Sequence, residues 1–201
     1  MAKRNRPVDT FELAEISIDR GPAAAAVVAR ELLAEGRLPV DTSRGELRTE
    51  LSDYLEMAGD LAGAEEVVRA AIGDGERGWC DPRIRLAELR HRREDGAERD
   101  ALLADVWKGR PTDAHDYLAA SELLEEVGDA AAALRWVNTG AFRLHRDNEV
   151  PTGDTVMLLQ RRRRLRLEMG FTEDHYDEVA EVAAQALDDA LDDELGWDDE
   201  D

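Results

Sequence analysis

Asp116 to Ala141 reads DYLAASELLEEVGDAAAALRWVNTGA, and its periodicity decides the fold class. Tyr117, Ala120, Leu124 and Val127 follow spacings of three, four and three, which line one face of a 3.6-residue helix. After Gly128 the pattern restarts with Ala133, Val137, Gly140, Ala141 and Leu144, again a single apolar face. Gly128 suits the left-handed position that ends a helix, and Asp129 can accept hydrogen bonds from the free N–H groups of the next one. Two apolar faces joined by so short a turn pack antiparallel as a helical hairpin. One hairpin leaves its other flanks uncovered, so the same physics calls for neighbours of the same kind.

Such neighbours can be read on both sides. Upstream, Leu47, Leu51, Tyr54, Leu55 and Ala58 form one face, Gly59-Asp60 a turn, and Leu61, Ala64, Val67, Val68, Ala71 and Ile72 the next face. At the start of the chain Phe11, Ala14 and Ile18 give a helical face that Gly21-Pro22 stops, and AAAAVVARELLAEG continues to Gly36. Between Arg83 and Arg93, Ile84, Leu86, Ala87 and Leu89 scatter around the helix instead of forming a stripe. Gly96 is read as the turn there, before Leu102, Leu103, Val106 and Trp107. A fifth pair starts near Thr152 or Asp154 with Val156, Leu158 and Leu159, turns at Gly170, and continues as HYDEVAEVAAQALDDAL. The turn glycines 21, 59, 96, 128 and 170 are spaced by 38, 37, 32 and 42 residues, as degenerate helix–turn–helix repeats are.

This expects an all-α chain: a loose N-terminus over 1–8, a helical-repeat domain over 9–187, and an acidic tail over 188–201. That tail holds nine acids and no Lys or Arg, the composition of a solvated segment. Forty-seven acids against 26 bases leave a net charge of −21, which argues against general affinity for nucleic acid or an anionic membrane. Only two of the bases are lysines, Lys3 and Lys108. The single cysteine, Cys80, excludes an intrachain disulfide and fits a reducing compartment. With no apolar leader core at the start and no long apolar run, the expected location is the cytoplasm.

Little in the chain has the spacing of catalytic or metal-binding motifs. His91, His115, His145 and His175 are far apart, HExxH and CxxC are missing, and no Gly-rich phosphate loop or EF-hand spacing occurs. His115 with Asp113 and Asp116 reads as a cap cluster. No cofactor and no catalysis are therefore expected. The run Arg161 to Arg164, followed by Arg166, is not one basic face, because consecutive helical residues turn by about 100°. Arg162 alone falls on the apolar stripe of Leu158, Leu165 and Met169, so it needs a carboxylate partner or a route to water. Trp79, Trp107 and Trp136 are expected as packing residues, whereas Trp197 lies within the acidic DELGWDDED.

These hairpins resemble the tetratricopeptide repeat. Tyr117 stands at that family's leading aromatic, Leu124 at its Tyr, Gly128 at its turn, and Ala133, Val137 and Gly140 at the Ala, Phe and Ala of the second helix. Leu51, Leu55, Gly59, Ala64, Val68 and Ala71 follow the same layout, while Ser52 and Ser121 replace the small Gly of the first helix. The fragments GDAAAALRWVNTGAFR and RRRRLRLEMG also resemble actinobacterial tetratricopeptide-like proteins that sometimes carry a zinc-binding SEC-C motif. The cysteine-rich motif itself is missing here, so no zinc function transfers. The resemblance implies about five antiparallel hairpins stacked as a right-handed superhelix, with a groove lined by Glu46, Asp53, Glu56, Glu122, Glu125 and Glu126. Those positions are acidic where the family's peptide clamp needs Lys, Asn and Arg.

The resulting expectation is a non-catalytic protein–protein interaction scaffold that holds a basic partner segment in an acidic groove. Two alternatives stand beside it: an accessory or regulatory domain acting through the acidic tail, and an enzyme whose site is dispersed in sequence. The partner's identity and the oligomeric state are not legible in the residues.

Overall fold

The structure, a computed structural model, describes residues 10–145, 151 and 153–195, with side chains described up to 186. The N-terminal segment 1–8, residues 196–201 and Trp197 lie outside the described residues. Among the described residues every regular element is an α-helix. They are α1 (Thr10–Arg20), α2 (Pro22–Glu35), α3 (Arg44–Met57), α4 (Leu61–Asp74), α5 (Pro82–Arg92), α6 (Gly96–Gly109), α7 (Ala114–Glu126), α8 (Ala130–Leu144), α9 (Asp154–Glu168) and α10 (His175–Leu195). The chain divides into two compact units, one ending at Gly109 and one beginning at Arg110. Within each unit, helices that follow one another in the chain pack against one another.

The turns carry the repeat. At Gly59 and Gly128 the backbone takes φ of 82° and 85°, and the following Asp60 and Asp129 have nearly the same conformation, −89°, 67° and −95°, 68°. Each aspartate caps the next helix, accepting from Gly63 N–H at 2.9 Å and from Ala132 N–H at 2.8 Å. Each glycine N–H returns to the carbonyl three residues back, Glu56 or Glu125, closing the preceding helix.

A third copy sits two residues before the expected Gly96. Glu94 takes the left-handed conformation at φ 61°, its N–H bonds the His91 carbonyl, and Asp95 caps α6 by accepting from Glu98 N–H at 3.1 Å. Gly96 belongs to α6 instead. The equivalent positions 59, 94 and 128 stand 35 and 34 residues apart, tighter than the glycine count indicated. Glutamate hides the repeat because L residues rarely occupy that region.

In the first unit the core is Leu13, Ala26, Ala29, Leu32, Leu47, Leu51, Leu55, Ala64, Val68, Leu86 and Leu89. The expected α1 face is not the buried one: Leu13 is fully buried, whereas Phe11 and Ile18 are 79% and 83% exposed. A terminal helix needs only one contact row, and α1 makes it through the side flanked by Ile16 and Ser17. The scatter on α5 has a physical meaning as well. Ile84, Leu86, Ala87 and Leu89 are all buried, so α5 is covered nearly all round. Trp79 is 40% exposed and is not a core residue, Trp107 is half-buried, and Trp136 is buried.

In the second unit α7 and α8 are antiparallel, as contacts between opposite ends show. Tyr117, near the start of α7, donates to the Pro111 carbonyl at 2.8 Å and accepts from Arg143 near the end of α8 at 2.8 Å. A Cβ at Gly140 would come within 2.6 Å of the Tyr117 ring, so glycine lets the helices approach. Trp136 meets the same ring edge-on, centroids 6.0 Å apart. Ala141, Leu159 and Ala180 form the small cluster joining α8, α9 and α10.

Candidate functional site

The acidic positions expected to line a groove divide between the two units. In the first unit they lie along α3. Glu46 closes a capping box, its carboxylate accepting from Ser43 N–H at 2.6 Å while the Ser43 hydroxyl accepts from Glu46 N–H at 3.1 Å. Asp53 and Glu56 reach Arg85 of α5, at 2.8 and 2.6 Å, and Glu56 also meets Arg92 at 3.1 Å.

Arg85 is buried on α5, which forces it to find several partners. Besides Asp53 and Glu56 it pairs with Glu88 at 3.0 Å and donates to the Ser52 hydroxyl at 3.2 Å. Glu50 stands one helical turn after Glu46 and one before Asp53, and its Oε2 is buried with no hydrogen-bond partner. Asp53, Glu56 and Glu88 thus gather on Arg85 and Arg92, and Glu50, next to Asp53 and Glu46, extends the acidic row along α3.

The excess shows in the carboxyl chemistry. Burial pushes Glu50 above the usual carboxylate range, with Asp53 and Glu46 adding to it. Asp53 is raised by burial too, against the pull of Arg85 and with a push from Glu56. Glu88 goes furthest, since burial carries it to about 7 although Arg85 opposes. A cation brought to this face would meet groups that gain by ionising beside it.

The second unit disposes of its charges differently. Glu122 reaches Arg161 at 2.7 Å, and Glu125 pairs with both Arg161 and Arg164, the latter at 2.8 Å. Glu126 is exposed at the end of α7. On the other side of α9, Arg162 is 2% exposed and sits between Asp174 and Asp177 at 2.5 Å each, with Asn138 accepting at 2.7 Å. Its guanidinium also lies 5.3 Å from the centroid of the Tyr176 ring. The need for a carboxylate partner, inferred from its place on the apolar stripe, is met twice. Arg163 pairs with Glu173 and Glu181, and Arg166 with Asp177 and Asp174.

Sequence reading placed Glu46, Asp53 and Glu56 on one helix but missed Glu50 and Glu88. Glu50 was findable, since positions 46, 50 and 53 share helical spacing. Glu88 joins only through the packing of α5 on its neighbours. His115 behaves as a cap residue: its N–H donates to Asp113, and its ring nitrogens lie 3.3 Å from Asp113 and 3.4 Å from Asp154. No group of three or more His, Cys, Asp or Glu able to hold a metal occurs among the described residues. Clefts of about 520, 490 and 300 Å³ lie between α2, α3 and α4, along the α9–α10 seam, and beside the loop before α5; none is lined by histidine. No helix among the described residues is long and apolar enough to cross a membrane. Set against protein-family models, curated proteins and solved structures, the chain matches none of them.

Proposed function

We propose that the chain is a tetratricopeptide-like interaction module that captures a basic segment of a partner protein on the acidic face of α3 and α5, without catalysis. The observation that carries this reading is the surplus of carboxylate over arginine there, with Glu50 Oε2 buried and unpartnered beside Asp53, which in turn neighbours Glu88. An arginine or lysine side chain from the partner would supply the missing charge, and its guanidinium or ammonium would lie against Glu50, Asp53 and Glu88. The tetratricopeptide-like stacking is supported by the matching turns at Gly59, Glu94 and Gly128, whose spacings lie near that family's period.

The test is fluorescence anisotropy with a labelled Ala/Arg peptide on the full chain. The double variant Glu50→Gln/Asp53→Asn is expected to bind about tenfold more weakly, and wild-type affinity to fall steeply with added salt. A control variant neutralising the exposed Asp19 and Glu31 separates this face from the general attraction of a −21 protein. Equal losses in both variants, or affinity indifferent to salt, would overturn the assignment.

A further inference from the structure

The contact that holds α10 differs in kind from the others in the second unit. Helix α8 buries Ala132, Ala133, Leu134, Trp136, Val137, Gly140 and Ala141. Among its described side chains, α10 buries Asp177, Ala180 and Ala183, one acid and two alanines, while Val182 is 71% exposed. What ties α10 to α9 is mostly charge, Asp174 and Asp177 on Arg162 and Arg166 and Glu173 and Glu181 on Arg163, with Tyr176 and Val179 packed half-buried beside Ala141 and Leu159. Beside these pairs the seam stays open as a cleft of about 490 Å³ edged by Arg163, Leu167, Glu181 and Ala184.

The docked segment has a simple form. Asp174, Asp177, Ala180 and Ala183 recur every third residue, placing two acids on the arginines and two small residues against α8 and α9. Asp174 also caps the helix, accepting from Tyr176 N–H at 3.0 Å, while Asp177 accepts from Asp174 N–H at 3.0 Å. Arg162 and Asp177 are buried, but Asp174, Glu173, Glu181 and Arg163 are partly exposed, so salt reaches the rim of this contact first and α10 opens before the rest of its unit. If it leaves, Arg162 stays on the face of α9 with no acid beside it, and a charge so placed demands replacement.

We propose that α10 is a displaceable acidic strap over an arginine face of α9, and that an acidic partner helix with the spacing Asp-x-x-Asp-x-x-Ala-x-x-Ala takes its place. The face is made of Arg162, Arg163 and Arg166 with Leu159 and Ala141 beneath, and it is independent of the acidic face on α3. The strap is the protein's own copy of the ligand, so binding in trans competes with docking in cis.

Two measurements on the full chain test this. Hydrogen exchange is followed in wild type at low salt and at about 1 M NaCl, and in the Asp174→Asn/Asp177→Asn variant. The α10 amides are expected to exchange at least about tenfold faster in high salt and in the variant, with α7 and α8 unchanged. A labelled peptide of residues 173–190 is then expected to bind the variant at least about tenfold more tightly than wild type, and the same peptide with both aspartates amidated to bind neither. Loss of protection in α7, α8 and α10 together would make α10 an integral part of the unit and overturn the proposal. So would unchanged α10 exchange, or a peptide that binds wild type and variant alike.

Discussion

Arg85 in the first unit and Arg162 in the second are both buried arginines on a helix that follows a hairpin, yet their surroundings differ. Arg85 gathers Asp53, Glu56 and Glu88, whose side chains remain 47, 22 and 24% exposed, and Glu50 beside them has no cation. Arg162 has Asp177, 1% exposed, and Asp174, and it shares both with Arg166. One cluster is open to water and carries surplus negative charge. The other is closed and pairs its arginines with acids of the same unit. An unsaturated ionic cluster can receive a charge from outside, whereas a saturated one must first release something.

The largest expected effect breaks the closed cluster. Arg162→Met should destabilise the second unit by about 3–4 kcal/mol in urea unfolding, because the buried Asp177 keeps only Arg166 as a cation and Asn138 loses its donor. Arg85→Met should cost clearly less, about 1–3 kcal/mol, since its three acids can hydrate or take up protons. Equal losses would erase the distinction between the two clusters.

The close backbone approaches come next. A Cβ at Gly45 would lie 1.9 Å from the Arg77 carbonyl oxygen, an atom that cannot swing away, whereas at Gly140 the obstacles are side-chain atoms of Tyr117 and Leu158. Gly45→Ala should cost about 3 kcal/mol and Gly140→Ala about 1–2 kcal/mol in thermal melts. The reverse order would mean that the loop carrying Arg77 yields more easily than the packed Tyr117 ring.

The open cluster can be sharpened by pH. Glu88 is raised to about 7 from 4.5, so between those values the folded protein holds a proton that the unfolded chain has lost. Stability contributed by this group is therefore full below about pH 4.5 and declines as pH rises to about 7. Glu88→Gln should raise the melting stability by about 1–2 kcal/mol at pH 8 and change little near pH 4.5. A gain that is equal at both pH values would remove the carboxyl from this account. Asp174 behaves oppositely: Arg162 holds it below the usual range, so its contribution is present above about pH 3.8 and is lost on further acidification.

The smallest effect concerns the turns. Glu94→Gly should stabilise the first unit by about 1 kcal/mol, since Glu94 bears a left-handed strain that glycine escapes, while Gly128→Ala should destabilise the second by a similar amount. Denaturant midpoints of the two variants give the comparison directly.

Much of this architecture is local and was therefore legible. Gly59-Asp60 and Gly128-Asp129 announce their turns because a left-handed residue followed by a capping aspartate is a demand of neighbouring backbone atoms. Arg162 could be flagged because a charge on an apolar stripe requires a partner wherever the helix sits. Phe11 and Ile18 were misread for the complementary reason: helical spacing names a face but not whether anything covers it. The scatter on α5 was ambiguous until burial resolved it, and the third turn, read at Gly96, lies at Glu94 because its left-handed residue is not a glycine.

The sequence by itself determined an all-helical chain, its hairpin turns, its negative charge and the acids along α3, because each depends on composition or on residues within a turn or two of one another. Only the tertiary structure decided which acids are neutralised and which are left over. Arg85 and Glu56 are 29 residues apart, and Arg161 and Glu122 39, and no local pattern encodes such pairings. Charge balance across a helix interface is set by which helices meet and at what depth, and that is a property of the packed chain.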